Sequence, residues 1–223
     1  MKKNSGFLQA GIFLVLFFVW IVIIKTVDVA AVGPEGTEVG LSTVNVFIHG
    51  LFHTSWFWYE LTQIFGVIAL LVCAVFAVMG LVQLIKRKSL LKVDREILIL
   101  GGLYAVTIAL YALFEKVVIN YRPIIMPDNS VPEASFPSSH TMLIIVVMGS
   151  LMPVLDKYVR EKRIANILKT AATVVIGLTV AGRMICGVHW FTDIIGGIIL
   201  SAALLFAFKG VYLMVTNKGE KAA

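Results

Sequence analysis

Six runs of about 20 mainly apolar residues dominate this sequence. A helix needs roughly 20 such residues to cross a bilayer, because each adds about 1.5 Å to a hydrocarbon thickness of about 30 Å. The predicted spans lie at about 7–25, 61–85, 97–114, 139–155, 165–185 and 190–214. No run alternates apolar and polar residues as the strands of a membrane barrel do. We therefore expect an all-α, polytopic membrane protein, built as a six-transmembrane-helix bundle.

The composition excludes two other classes of protein. Hydrophobic residues make up 59% of the 223 residues, and charged residues only 14%. Soluble domains carry about 25% charged residues, and disordered chains combine high charge with low hydrophobicity. We expect a single membrane-embedded domain over residues 1–223. The 2 cysteines are too few for a disulfide framework.

Lysine and arginine are distributed unevenly between the two sides of this bundle. If the N-terminus is cytoplasmic, most of the 19 basic residues face the cytoplasm: at the N-terminus, in 86–95, in 157–169 and in the C-terminal tail. Cytoplasmic loops carry such an excess. We therefore expect a multi-pass plasma membrane protein with both termini in the cytoplasm. Contact with anionic lipid headgroups accounts for the net charge of +6, and no nucleic acid partner is expected.

The first two spans are joined by an external segment, residues 26–60. The first run is longer than the apolar core of about 7–15 residues in a signal peptide, so we expect it to remain as an anchor. The aromatic-rich stretch Val44–Tyr59 predicts a helix lying along the outer membrane interface. His49 and His53 are spaced to share a helical face, as metal ligands do. No carboxylate or cysteine beside them completes a metal site, so packing at the headgroup level is the favoured interpretation.

Ionisable residues are concentrated at the outer ends of spans three to six. They are Glu115, Lys116, Arg122, His140, Arg183, His189 and Asp193. Charged groups at membrane depth are costly and by default indicate function. Three cations and two histidines in one place predict a pocket for an anion of several negative charges.

Three short segments contain these residues. Span four opens with Phe-Pro-Ser-Ser-His-Thr at 136–141, and a helix N-terminus binds phosphate through its free N–H groups, here with the hydroxyls of Ser138 and Ser139. A serine cap beside an interfacial histidine is the structural alternative. In the segment at 115–123, Arg122 is suited to bidentate phosphate contact, although a Lys/Arg pair can also simply extend to the interface.

The third segment, 182–193, contains Arg183, His189 and Asp193. His189 and Asp193 are four residues apart, so a helix places them on one face. A carboxylate that accepts one imidazole N–H leaves the other nitrogen free as a nucleophile or base. The structural alternative is a His–Asp pair that caps span six.

Together the segments resemble the type 2 phosphatidic acid phosphatase superfamily, membrane lipid phosphatases related to vanadium haloperoxidases. That family has Lys-x6-Arg-Pro, then Pro-Ser-Gly-His, then Ser-Arg-x5-His-x3-Asp, and the matching segments occur here in the same order. Ser139 stands where the family has glycine, and Gly182 where it has serine. Glu115 occupies the lysine position, with Lys116 one residue later. Either Lys116 supplies the cation through a local shift or the pocket has one positive charge fewer, and Glu115 is expected to point away or pair with Lys116.

The resemblance implies a mechanism. His189 is the nucleophile and forms a phosphohistidine, Asp193 holds its other nitrogen, and His140 is the general acid and then the base. The residues expected to hold the phosphoryl group are Lys116, Arg122, Ser138, Ser139 and Arg183. No carboxylate cluster suggests a metal, and no cofactor is expected.

The implied substrate is a lipid phosphomonoester or diphosphate, bound among membrane lipids at the external face. Undecaprenyl diphosphate is favoured, and phosphatidylglycerophosphate or phosphatidic acid is the alternative. A non-catalytic lipid-phosphate binder or a transporter is the alternative of another class, and no protein partner is indicated.

Overall fold

A computed structural model describes residues 3–52 and 54–220. Within these residues the chain forms seven α-helices and no strand. They are α1 (Lys3–Thr26), α2 (Ser42–Leu51), α3 (Trp56–Arg87), α4 (Arg95–Lys116), α5 (Ser139–Tyr158), α6 (Lys162–Ile185) and α7 (Phe191–Glu220). All of them except α2 are long and apolar enough to cross a membrane, which gives six candidate spans among the described helices. The predicted all-α, six-span architecture is confirmed.

The helix between the first two spans is shorter than predicted. It was expected over Val44–Tyr59, but α2 ends at Leu51, and Trp56–Tyr59 form the first turn of α3. The backbone leaves the helical region at Phe52 and is extended at Ser55. The aromatic residues that suggested an interfacial helix therefore begin the second span. His53 lies outside the described residues.

Helix α1 packs along α7 over most of its length. A Cβ added at Gly6 would lie 3.0 Å from Gly210 Cα, so the two backbones approach closely at this end. Farther along, the rings of Phe13 and Phe206 stack at 5.4 Å. At the other end, Trp20 Nε1 donates to the Thr192 carbonyl at 3.0 Å. The first span is thus an integral part of the bundle and supports the beginning of α7.

Helix α5 occupies the centre of the bundle. It contacts α3, α4, α6 and α7, and more of it is buried than of any other described span. Lipid tails are as apolar as these side chains, so close packing and not water exclusion holds such helices together. The N-terminus of α5 therefore lies where the neighbouring helices meet.

Three ion pairs among the described residues lie at one end of the bundle. At the end where α3 meets α4 and α5 meets α6, acids pair with bases: Arg87 with Asp94 at 2.8 Å, Lys157 with Glu96 at 2.6 Å and Lys169 with Asp156 at 2.6 Å. The opposite end contains the connections 117–138 and 186–190, in which the sequence predicted the site. The site is built from these two connections and the helix ends that they join.

Candidate active site

The connection between α4 and α5 folds back on itself. Arg122 N donates to the Glu133 carbonyl and Ser135 N donates to the Asn120 carbonyl, both at 2.9 Å, on either side of a bridge between Tyr121 and Ala134. This pairing places Arg122 beside the residues that lead into α5.

The connection between α6 and α7 packs against the first one. Gly187 has φ +69, which glycine adopts without strain and which turns the chain between Arg183 and His189. Trp190 Nε1 donates to the Tyr121 carbonyl at 2.8 Å, and Arg122 Nη1 donates to the Val188 carbonyl at 3.3 Å. Two segments far apart in sequence are thereby joined at the site.

This packing brings Arg122 to His189. The distance from Arg122 Nη1 to His189 Nε2 is 3.5 Å. His189 is only 4% exposed. Burial lowers the pKa of His189 well below its usual range, and the positive charges of Arg122 and Arg183 lower it further. The ring is therefore neutral near pH 7, with Nε2 directed at a guanidinium group.

Asp193 lies on the other side of the His189 ring. Its Oδ2 is 3.7 Å from His189 Nδ1, which is too long for a hydrogen bond, and Nδ1 has no hydrogen-bond partner within the described part of the chain. Asp193 is fully buried and accepts hydrogen bonds at 3.0 Å from Trp190 N and from Asn120 Nδ2. The imidazole and the carboxylate are neighbours, and a small movement would bring them into contact.

A small cavity of about 20 Å³ lies in front of His189. Its wall includes Glu115, Arg122, Ser139 and His189. Glu115 was expected to point away or to pair with Lys116, but it contributes to this wall. Lys116, at the exposed end of α4, is not among the lining residues. Of Glu115 and Lys116, the two residues at the family's lysine position, it is therefore Glu115 that lines the cavity.

Arg183 approaches the site from the last turn of α6. It is 1% exposed, its Nη2 donates to Gln63 Oε1 at 3.4 Å, and its guanidinium lies 5.2 Å from the centre of the Tyr59 ring. Its Nε has no hydrogen-bond partner among the residues described. A buried guanidinium with an unused donor is a suitable partner for an anion.

Close packing of α3 explains the glycine before Arg183. A Cβ at Gly182 would lie 2.8 Å from Thr62 Cγ2 and 3.0 Å from Trp58 Cε3. The serine found in the resembling family has no room here, because α3 occupies the space.

His140 faces a second, larger cavity of about 320 Å³. This cavity runs between α3, α4 and α5, and its wall is mostly apolar, with Val67, Leu70, Ile108 and Leu143 among the lining residues. Ser139 and Tyr111 line both cavities, so the two adjoin. On the α3 side, a Cβ at Gly66 would lie 3.1 Å from His140 Cδ2, so the glycine leaves space for the imidazole.

The two serines before His140 have different environments. Ser139 lines both cavities. Ser138 is completely buried and lines neither: its N donates to the Asp193 carbonyl and its Oγ accepts from Thr141 Oγ1, each at 3.0 Å. The structure thus brings Arg122, Ser139, His140, Arg183, His189 and Asp193 together, although Arg183 and Asp193, like Lys116 and Ser138, line neither cavity.

Several site residues were not predicted from the sequence. They are Tyr59, Gln63, Tyr111, Asn120 and Ser135. Gln63 could have been identified from the sequence, because burying an amide within an apolar span is energetically unfavourable unless it has a hydrogen-bond partner. Asn120 lies two residues before Arg122 in a segment already identified. His49, considered as a metal ligand, instead contacts the Gly187 carbonyl at 3.1 Å. In residues 3–52 and 54–220 no group of three His, Cys, Asp or Glu could hold a metal ion.

Comparison with known proteins agrees with this architecture. The sequence profile of the PAP2 superfamily matches residues 67–218. A search of curated proteins found no match. Among solved structures, a transmembrane PAP2-type phosphatidylglycerolphosphate phosphatase from Bacillus subtilis is 19% identical, with a TM-score of 0.62 over 93% of this chain and 97% of that chain. At this identity the likeness concerns the fold. The profile covers more than half of the chain, and the chain therefore belongs to the PAP2 superfamily of membrane phosphatases.

Proposed function

We propose that this protein is a lipid phosphate phosphatase that cleaves a phosphomonoester through a phosphohistidine on His189. The observation that carries the proposal is the 3.5 Å separation of His189 Nε2 and Arg122 Nη1, at a small cavity that adjoins a larger, mostly apolar one. The first group can attack phosphorus, and the second attracts phosphate. The residues around them set the steps of the reaction.

In the first step, neutral His189 attacks through Nε2. A bond forms between Nε2 and phosphorus, and the bond from phosphorus to the lipid oxygen breaks. A proton of the substrate phosphate or of solvent passes through His140 to that oxygen, and the lipid alcohol leaves. Covalent catalysis divides one difficult step into two. The position of His140 beside the apolar cavity supports this role, because the leaving oxygen is the atom attached to the lipid.

In the second step, water attacks the phosphorus and His140 accepts a proton from it. The bond between phosphorus and Nε2 breaks, and inorganic phosphate is released. Arg122, Arg183 and the backbone N–H of Ser139 are the groups we assign to the phosphoryl oxygens. Asp193 stabilises the positive charge that His189 gains when Nε2 is phosphorylated. In this proposal these fixed charges stabilise the negative charge on the phosphoryl oxygens, and no metal ion takes part.

The charge of the small cavity favours a monophosphate. Glu115 in its wall opposes a further negative charge. The structurally similar protein from Bacillus subtilis is a phosphatidylglycerolphosphate phosphatase. Phosphatidylglycerophosphate or phosphatidic acid is therefore our first substrate class. Undecaprenyl diphosphate is the second, because the mostly apolar larger cavity can accommodate a prenyl chain.

The unequal distribution of basic residues supports a location for the site. We assign residues 1–223 to a single phosphatase domain in the plasma membrane, with both termini cytoplasmic and the site at the external headgroup level. Cysteines introduced singly at exposed Arg163 and Glu35 test this orientation. A membrane-impermeant thiol reagent should label the Glu35→Cys protein in intact cells and the Arg163→Cys protein only after lysis.

The decisive experiment measures phosphate release by the protein purified in detergent. The substrates are phosphatidylglycerophosphate, phosphatidic acid and undecaprenyl diphosphate, each with a chelator present. We expect release from a monophosphate, a loss of about 10⁴-fold in H189N, and a trapped phosphoprotein only in the wild type. Size-exclusion chromatography verifies that H189N is folded. Equal rates for the wild type and H189N, or no release from any substrate, would contradict the proposal.

A further inference from the structure

We propose that Asn120 is a positioning residue that holds the Asp193 carboxylate against His189. This inference rests on the proposed function, because it assigns Asn120 a part in the same reaction. Asn120 does not line either cavity and is 1% exposed. Its effect on the reaction therefore has to pass through the residues that it binds, of which Asp193 is the one beside His189.

The side-chain amide of Asn120 binds the beginning of α7. Nδ2 donates to Asp193 Oδ1 at 3.0 Å and to Thr192 Oγ1 at 3.3 Å. The other carboxylate oxygen, Asp193 Oδ2, accepts from Trp190 N and lies 3.7 Å from His189 Nδ1. Asn120 thus fixes one oxygen, and this leaves the second oxygen turned towards the imidazole.

The chemistry of the site requires a donor at this position. Asp193 is fully buried, and in the described part of the chain it makes no ion pair with a lysine or arginine. A buried carboxylate without hydrogen bonds is unfavourable by several kcal/mol or more. Asparagine supplies N–H donors, whereas an aspartate of the same shape would supply only acceptors when ionised.

The backbone of Asn120 adds a second function. Its carbonyl accepts from Ser135 N at 2.9 Å, and Ser135 lies in the segment that leads to Ser139 and His140. One residue therefore connects the arginine-bearing loop, the entry to α5 and the His–Asp pair. A displacement of Asn120 should disturb the orientation of Asp193 before it disturbs the bundle.

Asn45 of α2 provides a matched control. It is also fully buried, and its amide donates to Thr192 Oγ1 at 3.1 Å and accepts from Thr192 N at 3.2 Å. Its remaining hydrogen bond goes to the Gly40 carbonyl at 2.8 Å. Asn45 and Asn120 thus share Thr192, but Asn120 also binds Asp193. Making the same substitution at both positions distinguishes an effect on the Asp193 carboxylate from a general effect on the beginning of α7.

Other charged groups surround this pair. They are Arg122 and His189 beside Asp193, Arg183 and His140, which interact electrostatically with His189, and His49 of α2 against Gly187. All of them are retained in the variants below. The added carboxylate of N120D raises the pKa of His189, which lowers activity at low pH and so acts against the recovery that a shared proton predicts.

The test compares N120D, N120A and N45D with the wild type. In N120D two carboxyl groups face each other: at low pH one proton is shared and replaces the lost donor, and at high pH both are ionised and repel. We expect kcat of N120D to fall by about 100-fold at about pH 8 and to recover at least about tenfold relative to the wild type at about pH 5. KM should change little. N120A should lose activity at both pH values, and N45D should stay within about threefold at both.

The outcomes separate this inference from the proposed function. No turnover by the wild type overturns both. Turnover by the wild type with an N120D ratio that is constant across pH overturns the inference alone. Equal losses in N120D and N45D would also overturn it, since they would show general support of the helix end. Size-exclusion chromatography at each pH verifies that the variants are folded. An N120D protein that is unfolded even at low pH would contradict a proton shared between the two carboxyl groups.

Discussion

Glu133 Oε2 lies 3.1 Å from Arg122 Nε, while Nη1 of the same guanidinium faces His189. The arginine that we assign to phosphate therefore already has a negative partner on its outer side. A guanidinium presents five N–H donors, so an ion pair at Nε leaves donors on both Nη atoms. The pair orients Arg122 and lowers its net attraction for an anion. The charge of the cavity depends on such neighbours as much as on the arginines.

The first prediction concerns Glu115. Removing its negative charge in E115Q should lower KM for a lipid phosphate about three- to tenfold, because a like charge leaves the wall of the phosphate cavity. The effect should weaken as salt is added. K116Q is the matched control. Lys116 is exposed and outside the cavity lining, so the KM of K116Q should differ from that of the wild type by less than about twofold. A large rise of KM in K116Q would show that the lysine reaches the substrate.

The second prediction concerns pH. Imidazole is a nucleophile only when neutral, and burial and two guanidinium charges lower the pKa of His189. The wild type should therefore stay active as pH falls below the ordinary histidine value of about 6.5, and lose kcat/KM only at lower pH. In R122Q a positive charge is removed, so the pKa of His189 rises and the acid limb should move to higher pH.

Arg163 provides the control for R122Q. It is exposed at the start of α6, at the end of the bundle away from the site. R163Q should leave the acid limb of kcat/KM where it is in the wild type. The measurement is the kcat/KM profile of all three proteins on one substrate. An acid limb that does not move in R122Q would contradict the assigned influence of Arg122 on His189.

Much of the fold could be predicted because it depends on local rules. Span lengths follow from bilayer thickness. His189 and Asp193 are neighbours, but not through the helical spacing from which the sequence predicted them, because α7 begins at Phe191 and His189 lies in the connection before it. The choice between Glu115 and Lys116 does not follow from such rules. Neighbouring side chains on a helix point about 100° apart, so a single residue decides which one meets the cavity. That direction is set by how α4 packs against α5.

Contacts between elements that are far apart in the sequence could not be predicted from the motifs either. Gln63 belongs to α3 and reaches Arg183 of α6, and no spacing rule links the two positions. Ser138 and Ser139 were assigned the same role, yet only Ser139 lines the cavities, because Ser138 N is bound to the Asp193 carbonyl. Two adjacent serines thus have different environments because of tertiary packing.

The third prediction concerns Gly182, the position at which the resembling family has serine. In G182S the added side chain meets Thr62 and Trp58 of α3 at 2.8 and 3.0 Å. Overpacking of this kind costs about 1–3 kcal/mol, so the melting temperature should fall by several degrees. G177S is the matched control, because a Cβ at Gly177 meets nothing within 4 Å. Equal melting temperatures for G182S and G177S would mean that α3 can move aside.

The fourth prediction concerns Gly66, which leaves space for the His140 ring. In G66A a Cβ would lie 3.1 Å from Cδ2 and 3.2 Å from Nε2 of His140, so the imidazole has to move by a few tenths of an ångström. A general acid must lie within hydrogen-bond reach of the atom that it protonates. We therefore expect kcat to fall at least about tenfold, for a lipid phosphate and for a short soluble phosphate ester alike.

The comparison of two substrates identifies the cause of a loss in G66A. If the methyl group only narrowed the apolar cavity, kcat would fall for the lipid phosphate but not for the short ester. If it displaces His140, both substrates lose kcat, because the same proton transfer is impaired. G101A is the matched control, since a Cβ at Gly101 of α4 meets nothing within 4 Å, and its kcat should equal that of the wild type. A G66A protein with wild-type kcat on both substrates would remove His140 from the role of general acid.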